Sequence, residues 1–355
     1  LTNYLETVLS TYLWQACTSA TTAWNYRKLI NKKKKKTGSP TWFADWQCHD
    51  FSFRGMGSLQ AALVSGAAHL CFFKGTDTVP AIDFLEQYYG ADADKEIIGG
   101  SVPATEHSVM CMGMEENELD TFDRLITEIY PKGIVSIVSD TWDFWKVLTE
   151  YAPALKDKIM AREGKVVFRP DSGDPVEILC GTTDVVMNRP MEEQKGAVEV
   201  LWDIFGGTTT DKGYKLLDLH VGLIYGDSIT YDRAKEILSQ LEAKGFASAN
   251  VVFGVGSYTY QYVTRDTWGF AVKATYGEVN GEPRNIYKCP KTDDGTKKSA
   301  KGLQIVCFDG NNKMCMIDEV DKESYMNNNY LKTVFKDSQI TKPTTLKEIR
   351  NMHNV

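Results

Sequence analysis

Glycines that follow an apolar run near residue 250 have the spacing of a phosphate-binding turn. The run Asn250-Val251-Val252-Phe253 predicts a strand, and Gly254-Val255-Gly256-Ser257 follows it and opens a helical pattern. Backbone N–H groups at a helix start are unpaired and lie at the positive end of the helix dipole, so they can hold a phosphate. By itself the motif is weak, because glycines also serve tight turns.

A second glycine turn and a charged loop add the groups that a phosphorylated sugar needs. Gly226 and Asp227 follow the apolar run 221–225. The glycine admits close approach of a ligand, and the carboxylate accepts hydrogen bonds from a sugar diol. The loop RPDSG places Arg169 and Asp171 two residues apart, so that a permanently charged fork lies beside a carboxylate. A salt-bridged turn is the structural alternative for this loop.

Two further segments combine aromatic, acidic and basic side chains. The segment HDFSFRG at 49–55 contains two aromatic rings and Arg54. A ring can stack on a flat heterocycle while an arginine binds an anion, although core aromatics in a strand would show the same pattern. The segment SVPATEHS at 101–108 presents His107 beside Glu106. An imidazole can accept a phosphoryl group or contact diphosphate, although a lone histidine is more often structural.

These residues lie at the ends of a repeated strand-and-helix pattern. Short apolar runs at 69–73, 134–138, 165–168, 221–225 and 250–253 each end in a polar or glycine turn, and a helical pattern usually follows. Such alternation predicts a parallel sheet, in either a β/α barrel or an open doubly wound sheet. The barrel is favoured because four aspartates follow strand ends, where barrels assemble their sites, although each could instead cap the next helix. These are Asp77, Asp140, Asp171 and Asp227.

The ends of the chain show other patterns. The pattern of residues 1–16 predicts an amphipathic helix. The stretch 31–40 contains five consecutive lysines and predicts a solvated loop, and a contact with a polyanion is the alternative. Two apolar runs around Asp309-Gly310 predict a hairpin.

Composition excludes several classes of protein. The chain has 355 residues, 43% of them apolar and 25% charged, which is typical of a folded globular protein. Its net charge of −7 argues against a nucleic-acid partner. Eight cysteines without a CxxC pair fit neither a zinc knuckle nor a disulfide scaffold and predict buried thiols of the cytoplasm. No apolar stretch reaches the length of about 20 residues that spans a bilayer, and no export signal is visible, so no membrane role is expected.

Six motifs, in order, resemble those of the nicotinamide phosphoribosyltransferase group of the type II phosphoribosyltransferase family. They are HDFSFRG at 49–55, FKGTDTV at 73–79, SVPATEHS at 101–108, RPDSG at 169–173, KGYKLL at 212–217 and Gly226-Asp227. The resemblance extends from LTNYLET at 1–7 to EIR at 348–350. It implies an α/β fold, an irregular β/α barrel with a second, smaller α/β domain. We expect 1–48 to form an N-terminal helical part of the second domain, 49–280 the barrel, and 281–355 a C-terminal part that packs with the N-terminal region.

The resemblance also implies an activity in NAD salvage: joining nicotinamide to 5-phosphoribosyl 1-diphosphate, with release of diphosphate. Mg²⁺ is the expected cofactor and ATP an activating co-substrate that phosphorylates His107. The implied enzyme is a cytoplasmic homodimer with shared active sites. Its catalytic residues would be His107, Asp171 and Arg169. The implied substrate contacts are Phe51, Arg54, Asp77, Ser139, Asp143, Arg169, Asp171, Gly226, Asp227, Gly256 and Ser257, with Arg265 and Lys273 from the neighbouring subunit. Mg²⁺ would be bound through the diphosphate, near Asp143 and Asp171, and no direct protein ligand is expected.

The chain departs from the family pattern at two places. The glycine-rich turn continues as Ser257-Tyr258 where the family has further glycines. The family also has an additional N-terminal segment, which supplies a second aromatic ring against the pyridine, so a separate N-terminal chain is an expected partner. Three alternatives remain: a nicotinate phosphoribosyltransferase of the same fold, a non-catalytic binding homologue, and a phosphosugar aldolase or isomerase.

Overall fold

The computed structural model describes residues 2–182, 189–226, 228–287, 299–327 and 329–353. The described chain separates into two compact units. Unit 1 comprises Leu1–Trp14 and Gly269–Thr344, and unit 2 comprises Gln15–Trp268 and Thr345–Val355. The predicted domain boundaries at 48 and 280 stay predictions, and the compact units are divided after residues 14, 268 and 344.

Unit 2 is built on eight strands, of which six form one parallel sheet. They are β1 (Cys48–Asp50), β2 (Gly75–Thr76), β3 (Lys132–Val138), β4 (Glu163–Arg169), β5 (Gly207–Thr209), β6 (Lys215–Leu217), β7 (Val221–Tyr225) and β8 (Val251–Val255). The order in the sheet is β2-β1-β8-β7-β4-β3, and every neighbouring pair is parallel. The remaining two, β5 and β6, form an antiparallel ribbon.

A segment without regular structure joins the two edges of this sheet. Gly100 bridges Gly75 of β2, and Ala104 bridges Ser136 of β3. The amide of Thr76 donates to the carbonyl of Gly100 at 3.0 Å, and the amide of Thr105 donates to the carbonyl of Ser136 at 2.9 Å. The sheet therefore curls into an irregular barrel, which confirms the predicted fold class.

Helices occur in both units, and several of those in unit 2 begin after a strand of the sheet. They are α1 (Thr2–Thr37), α2 (Leu59–Leu70), α3 (Pro80–Tyr89), α4 (His107–Gly113), α5 (Glu118–Arg124), α6 (Phe144–Lys146), α7 (Ala152–Ala154), α8 (Lys156–Met160), α9 (Pro175–Cys180), α10 (Met191–Lys195), α11 (Ala197–Phe205), α12 (Tyr231–Ala243), α13 (Ser257–Tyr260), α14 (Lys322–Asn327) and α15 (Leu346–Met352). Short 3-10 turns cover Thr41–Asp45, Phe53–Gly55, Glu115–Asn117 and Ser248–Asn250, and π turns cover Leu125–Ile129 and Val147–Tyr151.

The second half of α1 belongs to the core of unit 2. Ala23, Tyr26 and Ile30 are fully or almost fully buried in the same apolar cluster as the strands. The hydroxyl of Tyr26 donates to the carbonyl of Ile229 at 2.9 Å. Burial of the large side chains of Tyr26 and Ile30 is worth about 2 kcal/mol each, so residues 15–37 are held to the barrel by packing.

The predicted loop at 31–40 is wrong over most of its length, because α1 continues to Thr37. Lys33 Nζ lies 2.9 Å from Glu242 Oε2 of α12, and Lys36 pairs with the same carboxylate. Lysines in a last helical turn are also favoured by the helix dipole. Mutual repulsion within the lysine run is therefore offset by a partner that sequence periodicity does not show.

The described residues of unit 1 form three antiparallel strand pairs and α14. The strands are β9 (Tyr276–Val279), β10 (Glu282–Asn285), β11 (Leu303–Phe308), β12 (Met314–Val320), β13 (Phe335–Lys336) and β14 (Gln339–Ile340). They pair as β9–β10, β11–β12 and β13–β14. The β11–β12 pair confirms the hairpin predicted around Asp309-Gly310, and α1 covers the helix predicted at 1–16 from Thr2 onward.

Candidate active site

A cavity of about 490 Å³ lies at the carboxyl ends of the parallel strands. Its lining combines rings, arginines, carboxylates and glycine turns: Phe51, Phe53, Arg54, Asp77, Glu106, Arg169, Asp171, Gly226, Ser228, Gly256, Ser257 and Tyr258. The sequence-predicted residues Phe51, Asp77, Arg169 and Gly256 therefore share one cavity, although 205 positions separate the first from the last.

Phe51 is positioned by the turn after β1 and by two glycines beneath its ring. Its amide donates to the carbonyl of Val255 at 2.9 Å, which ties the turn to the end of β8. A Cβ at Gly254 would lie 2.5 Å from ring carbons of Phe51, and one at Gly226 would lie 3.3 Å from the ring. Only glycine at these positions leaves room for the ring to lie where it does.

Asp77 follows β2 and is held by two hydrogen bonds to one oxygen. Its Oδ1 lies 2.8 Å from His49 Nε2 and accepts the hydroxyl of Ser101 at 2.5 Å. Burial opposes ionisation of this carboxyl group and raises its pKa. The hydrogen bonds from His49 and Ser101 and the charge of Arg169 lower the pKa by more, so the pKa of Asp77 lies below its usual value. Within the described chain Oδ2 has no hydrogen bond, so an ionised oxygen is available to a ligand.

Arg169 ends β4, and its guanidinium is almost fully buried. Nη2 donates to the carbonyl of Thr105 at 2.5 Å, and Nε lies 3.6 Å from Asp171 Oδ2. The Nε–H has no hydrogen-bond partner in the described chain. Leaving such a donor unpaired costs free energy, so the site is prepared for an acceptor on a ligand.

The pKa of Asp171 is shifted in the opposite direction to that of Asp77. Burial raises its pKa, the neighbouring charge of Arg169 lowers it, and the charge of Asp140 raises it further. Its Oδ1 is buried and has no partner among the described residues. A Cβ at Gly226 would lie 2.9 Å from this oxygen, so the oxygen packs directly against the glycine turn.

Asp140 joins the loop of Asp171 to His107. Its Oδ2 accepts the amide of Asp171 at 3.0 Å and the hydroxyl of Ser172 at 2.6 Å. Its Oδ1 lies 3.1 Å from Nε2 of His107, whose side chain is 44% exposed. The carboxylate thus orients the imidazole and leaves Nδ1 available.

The aspartates of the site do not cap helices. The cap of α6 is Asp143, whose side chain accepts the amide of Lys146 at 3.0 Å, and the cap of α9 is Asp174. The residue before α3 is Val79, which makes no side-chain cap. Asp77, Asp140 and Asp171 are therefore free of the capping role that the sequence left open for each of them.

The predicted phosphate turn lies at the other side of the cavity. Gly256 precedes α13, and a Cβ added to it would meet nothing within 4 Å. Ser257 packs closely on Gly55, where a Cβ would lie 2.1 Å from the serine Oγ. Arg54 Nη1 lies 3.7 Å from Glu106 Oε2, and both side chains are exposed, so this pair is worth little.

Some predicted site residues lie elsewhere. Ser139 is buried and donates to the carbonyl of Ile137 at 2.8 Å, and Asp143 is occupied in capping α6. Arg265 Nη2 lies 3.4 Å from Asp266 Oδ1, and Lys273 is an exposed residue of unit 1. None of these four is in the cavity lining. Asp227 lies outside the described residues, and the contribution of a second subunit stays a prediction.

Sequence reasoning did not assign four lining residues and three positioning residues. Phe53, Glu106, Ser228 and Tyr258 line the cavity, and each is within two residues of a predicted site position. His49, Ser101 and Asp140 hold the predicted carboxylates and loop. The quoted motifs contain His49 and Ser101, but the contacts of these two residues with Asp77 span 28 and 24 positions.

Two other kinds of site are absent from the described part of the chain. No group of three or more histidine, cysteine, aspartate or glutamate side chains there could hold a metal ion. Among the described helices none is long and apolar enough to cross a bilayer.

The curled parallel sheet with a cavity at its strand ends defines the class of fold. The fold is similar to that of a nicotinate-nucleotide pyrophosphorylase from Pyrococcus furiosus, with a TM-score of 0.55 at 15% identity, over 96% of this chain and 69% of that one. The chain belongs to the nicotinate phosphoribosyltransferase (NAPRTase) family, whose model matches residues 46–339.

Curated relatives share most of this sequence. The chain is 56% identical over 358 aligned positions to a protein of Acinetobacter baylyi named nicotinamide phosphoribosyltransferase, covering 99% of this chain and 69% of the relative. It is 42% identical over 302 positions to a protein of the same name from Mycoplasma pneumoniae, covering 85% of this chain and 63% of the relative. The chain thus spans about two thirds of the length of these relatives.

Proposed function

We propose that this protein is a nicotinamide phosphoribosyltransferase of NAD salvage. It would transfer the phosphoribosyl group of 5-phosphoribosyl 1-diphosphate to the ring nitrogen of nicotinamide and release diphosphate. The observation that carries the proposal is one cavity with Phe51, Asp77 and Arg169 beside a glycine turn at the start of a helix. Relatives that bear this name, up to 56% identical, support it.

The chemistry needs stabilisation of charge more than acid–base catalysis. The ribosyl carbon becomes cationic as diphosphate leaves, and the pyridine nitrogen carries no proton that a base would remove. Asp171, with its free Oδ1 beside Gly226, would accept hydrogen bonds from the ribose hydroxyls. Gly256 and Ser257 would hold the 5′-phosphate with backbone amides, and Arg54 would face the diphosphate. Holding the ring in line with the sugar is the main remaining contribution to the rate.

Asp77 and Arg169 would select the pyridine. The free Oδ2 of Asp77 accepts a hydrogen bond from a carboxamide NH₂, and the unpaired Nε–H of Arg169 can donate to a carboxamide oxygen. Nicotinate would instead place its carboxylate beside Asp77, a repulsion of about 4 kcal/mol at 4 Å and an effective dielectric constant of 20. The lowered pKa of Asp77 keeps this charge present at neutral pH.

Mg²⁺ is the proposed cofactor, bound through the diphosphate near Asp171. Phosphate oxygens are ligands that Mg²⁺ prefers, and the carboxylate of Asp171 in the cavity lining adds negative charge beside them. When bound, Mg²⁺ would neutralise charge on the diphosphate. Asp143, which was also expected near the metal, is occupied as a helix cap.

ATP is the proposed activating co-substrate, with His107 as the phosphoryl acceptor. Asp140 accepts or shares the proton of Nε2, so Nδ1 would attack the terminal phosphorus of ATP and release ADP. We further propose a homodimer with shared sites, to which Arg265 and Lys273 of the neighbouring subunit would contribute. A cytoplasmic location is proposed from the buried free thiols of Cys48 and Cys180.

The test is product formation by the full chain. Protein, nicotinamide, 5-phosphoribosyl 1-diphosphate and Mg²⁺ are incubated with and without ATP, and nicotinamide mononucleotide and diphosphate are quantified. Parallel reactions with nicotinate test the nearest alternative, which the name of the matching family model favours. Binding of both substrates without diphosphate release would overturn the proposal in favour of a non-catalytic homologue.

A further inference from the structure

Two cysteines of unit 1 face each other across a hairpin. Cys307 of β11 and Cys315 of β12 are register partners in the antiparallel pair. Their Sγ atoms lie 3.3 Å apart, and both residues are partly exposed. Neither cysteine lines the candidate active site, and the proposed reaction uses neither of them.

The positions of the two strands suit a covalent bond between these sulfurs. Opposite residues of an antiparallel pair have Cα atoms about 4.5–5.5 Å apart, which lies within the range of about 4.4–6.8 Å found in disulfides. A disulfide needs the sulfurs at about 2.05 Å, so they must approach by little more than an ångström. Side-chain rotation within the existing register can supply most of this approach.

The surroundings hold the hairpin in this register. The amide of Asp309 donates to the carbonyl of Lys313 at 2.9 Å and closes the turn. On the outer side of β11, Val306 N donates to Asn329 Oδ1 at 3.1 Å, and the amide of Tyr330 donates to the carbonyl of Val306 at 2.9 Å. The two thiols are therefore kept together by backbone contacts on both sides of β11.

The thiols already interact in the reduced protein. The hydrogen bond with Cys307 raises the pKa of the Cys315 thiol, and the nearby carboxylate of Asp309 adds to this shift. The raised pKa lowers the fraction of thiolate at neutral pH, so mildly alkaline conditions favour reaction.

We propose that Cys307 and Cys315 form a site of reversible disulfide modification, with a small-molecule disulfide such as glutathione disulfide as the oxidant. The thiolate of one cysteine attacks a sulfur of glutathione disulfide; the S–S bond of the oxidant breaks, and one glutathione thiolate leaves. The second cysteine then attacks the mixed disulfide, and another glutathione leaves. Two protein thiols are oxidised, one small disulfide is reduced to two thiols, and both protons pass to the released glutathione.

The full chain is treated with glutathione disulfide, alkylated, digested without reduction and mapped by mass spectrometry. The expected product is one cross-link between the peptides of Cys307 and Cys315, lighter by two hydrogens than the reduced pair and reversed by dithiothreitol. Cys111 of α4, which the described structure pairs with no other sulfur, serves as the internal control and should carry glutathione instead.

Two single variants test whether the two thiols react because they lie next to each other or because each is reactive on its own. In Cys307→Ser and in Cys315→Ser the remaining thiol has no neighbouring thiol that could attack the mixed disulfide and release glutathione. The glutathione adduct should therefore accumulate at that cysteine about tenfold more than in the unmutated protein. Equal adduct levels in all three proteins would overturn the proposal, as would a cross-link to another cysteine or no reaction at either residue. The readout is independent of the proposed transferase activity.

Discussion

One oxygen of Asp77 receives the hydrogen bonds of both His49, at 2.8 Å, and Ser101, at 2.5 Å. This arrangement keeps the carboxylate ionised and directs its second oxygen to the cavity. The group that would distinguish an amide from an acid is thus fixed by residues from two other segments of the chain.

Replacing Asp77 should relax the choice of pyridine. Asp77→Ser removes the negative charge, so nicotinate is no longer repelled, and the ratio of kcat/KM for nicotinamide over nicotinate should fall at least about tenfold. The ratio is measured with each pyridine at saturating 5-phosphoribosyl 1-diphosphate. Ser101→Ala is the matched control, because it removes a hydrogen bond but keeps the charge, and the preference should persist. Equal use of both pyridines by the unmutated protein would refute the role of Asp77.

A methyl group at Gly254 should displace the ring of Phe51. The added Cβ would lie 2.5 Å from two ring carbons, closer than such atoms can approach. Gly254→Ala should therefore raise the KM for nicotinamide about tenfold or more, and the KM for 5-phosphoribosyl 1-diphosphate less. In the control, Gly100→Ala, the added Cβ meets Trp46 at an ordinary 3.9 Å, and the nicotinamide KM should stay close to that of the unmutated protein.

The pH dependence of phosphoribosyl diphosphate binding should report Asp171. Burial, aided by the charge of Asp140, raises the pKa of Asp171, so its carboxylate is protonated at a higher pH than an ordinary aspartate. The KM for 5-phosphoribosyl 1-diphosphate should rise as pH falls through that pKa. Asp140→Asn removes the neighbouring charge and should move this rise to lower pH. An unchanged profile would show that another group controls the acidic limb.

His69 should matter for stability through two buried hydrogen bonds. Its Nδ1 lies 2.8 Å from the hydroxyl of Tyr260, and its Nε2 lies 3.0 Å from the carbonyl of Gly75. The carbonyl requires a donor, so Nε2 carries the proton and Nδ1 accepts from the tyrosine. His69→Leu leaves both partners unpaired and should lower the free energy of unfolding by about 2–4 kcal/mol, and Tyr260→Phe by about 1–2 kcal/mol, in urea titrations.

The same histidine gives a pH dependence of known sign. Burial lowers the pKa of His69, so the unfolded chain binds its proton more readily than the folded one. Its contribution to stability is complete above the unfolded value of about 6.5 and decreases as pH falls below it. The difference in unfolding free energy between the unmutated chain and His69→Leu should therefore shrink on acidification. A difference that grows would contradict the neutral state of His69.

His107 should carry the response to ATP. His107→Gln keeps a polar side chain near Asp140 but has no nitrogen that accepts a phosphoryl group. The stimulation of turnover by ATP should be lost, and so should acid-labile phosphate on the protein after incubation with labelled ATP. Asp140→Asn should retain the phosphate but reduce its rate of formation. Persistence of acid-labile phosphate in His107→Gln would exclude this histidine as the acceptor.

The order of chemical groups along the chain could be read from sequence because each depends on local pattern. Four of the five apolar runs that end in polar turns correspond to parallel strands, and a residue after such a run, such as Asp171, is carried to one edge of the sheet whatever the details of packing. The strand predicted at 69–73 is wrong, because this run begins in the last residues of α2 and the strand before Asp77 is the short β2. The motif spacing also predicts the hairpin at 309–310 and the helix after Gly256. These features follow from backbone preferences over a few residues.

Tertiary structure alone decided which polar residues serve the site. Asp140 and Asp143 are three residues apart, yet one holds the loop of Asp171 and the other caps α6. The lysine run stays helical because Glu242 of a distant helix is within reach. Contacts such as His49 with Asp77 arise from the curl of the sheet, which brings its strand ends together in three dimensions. The linear chain fixes which groups are available, and the closure of the sheet determines their partners.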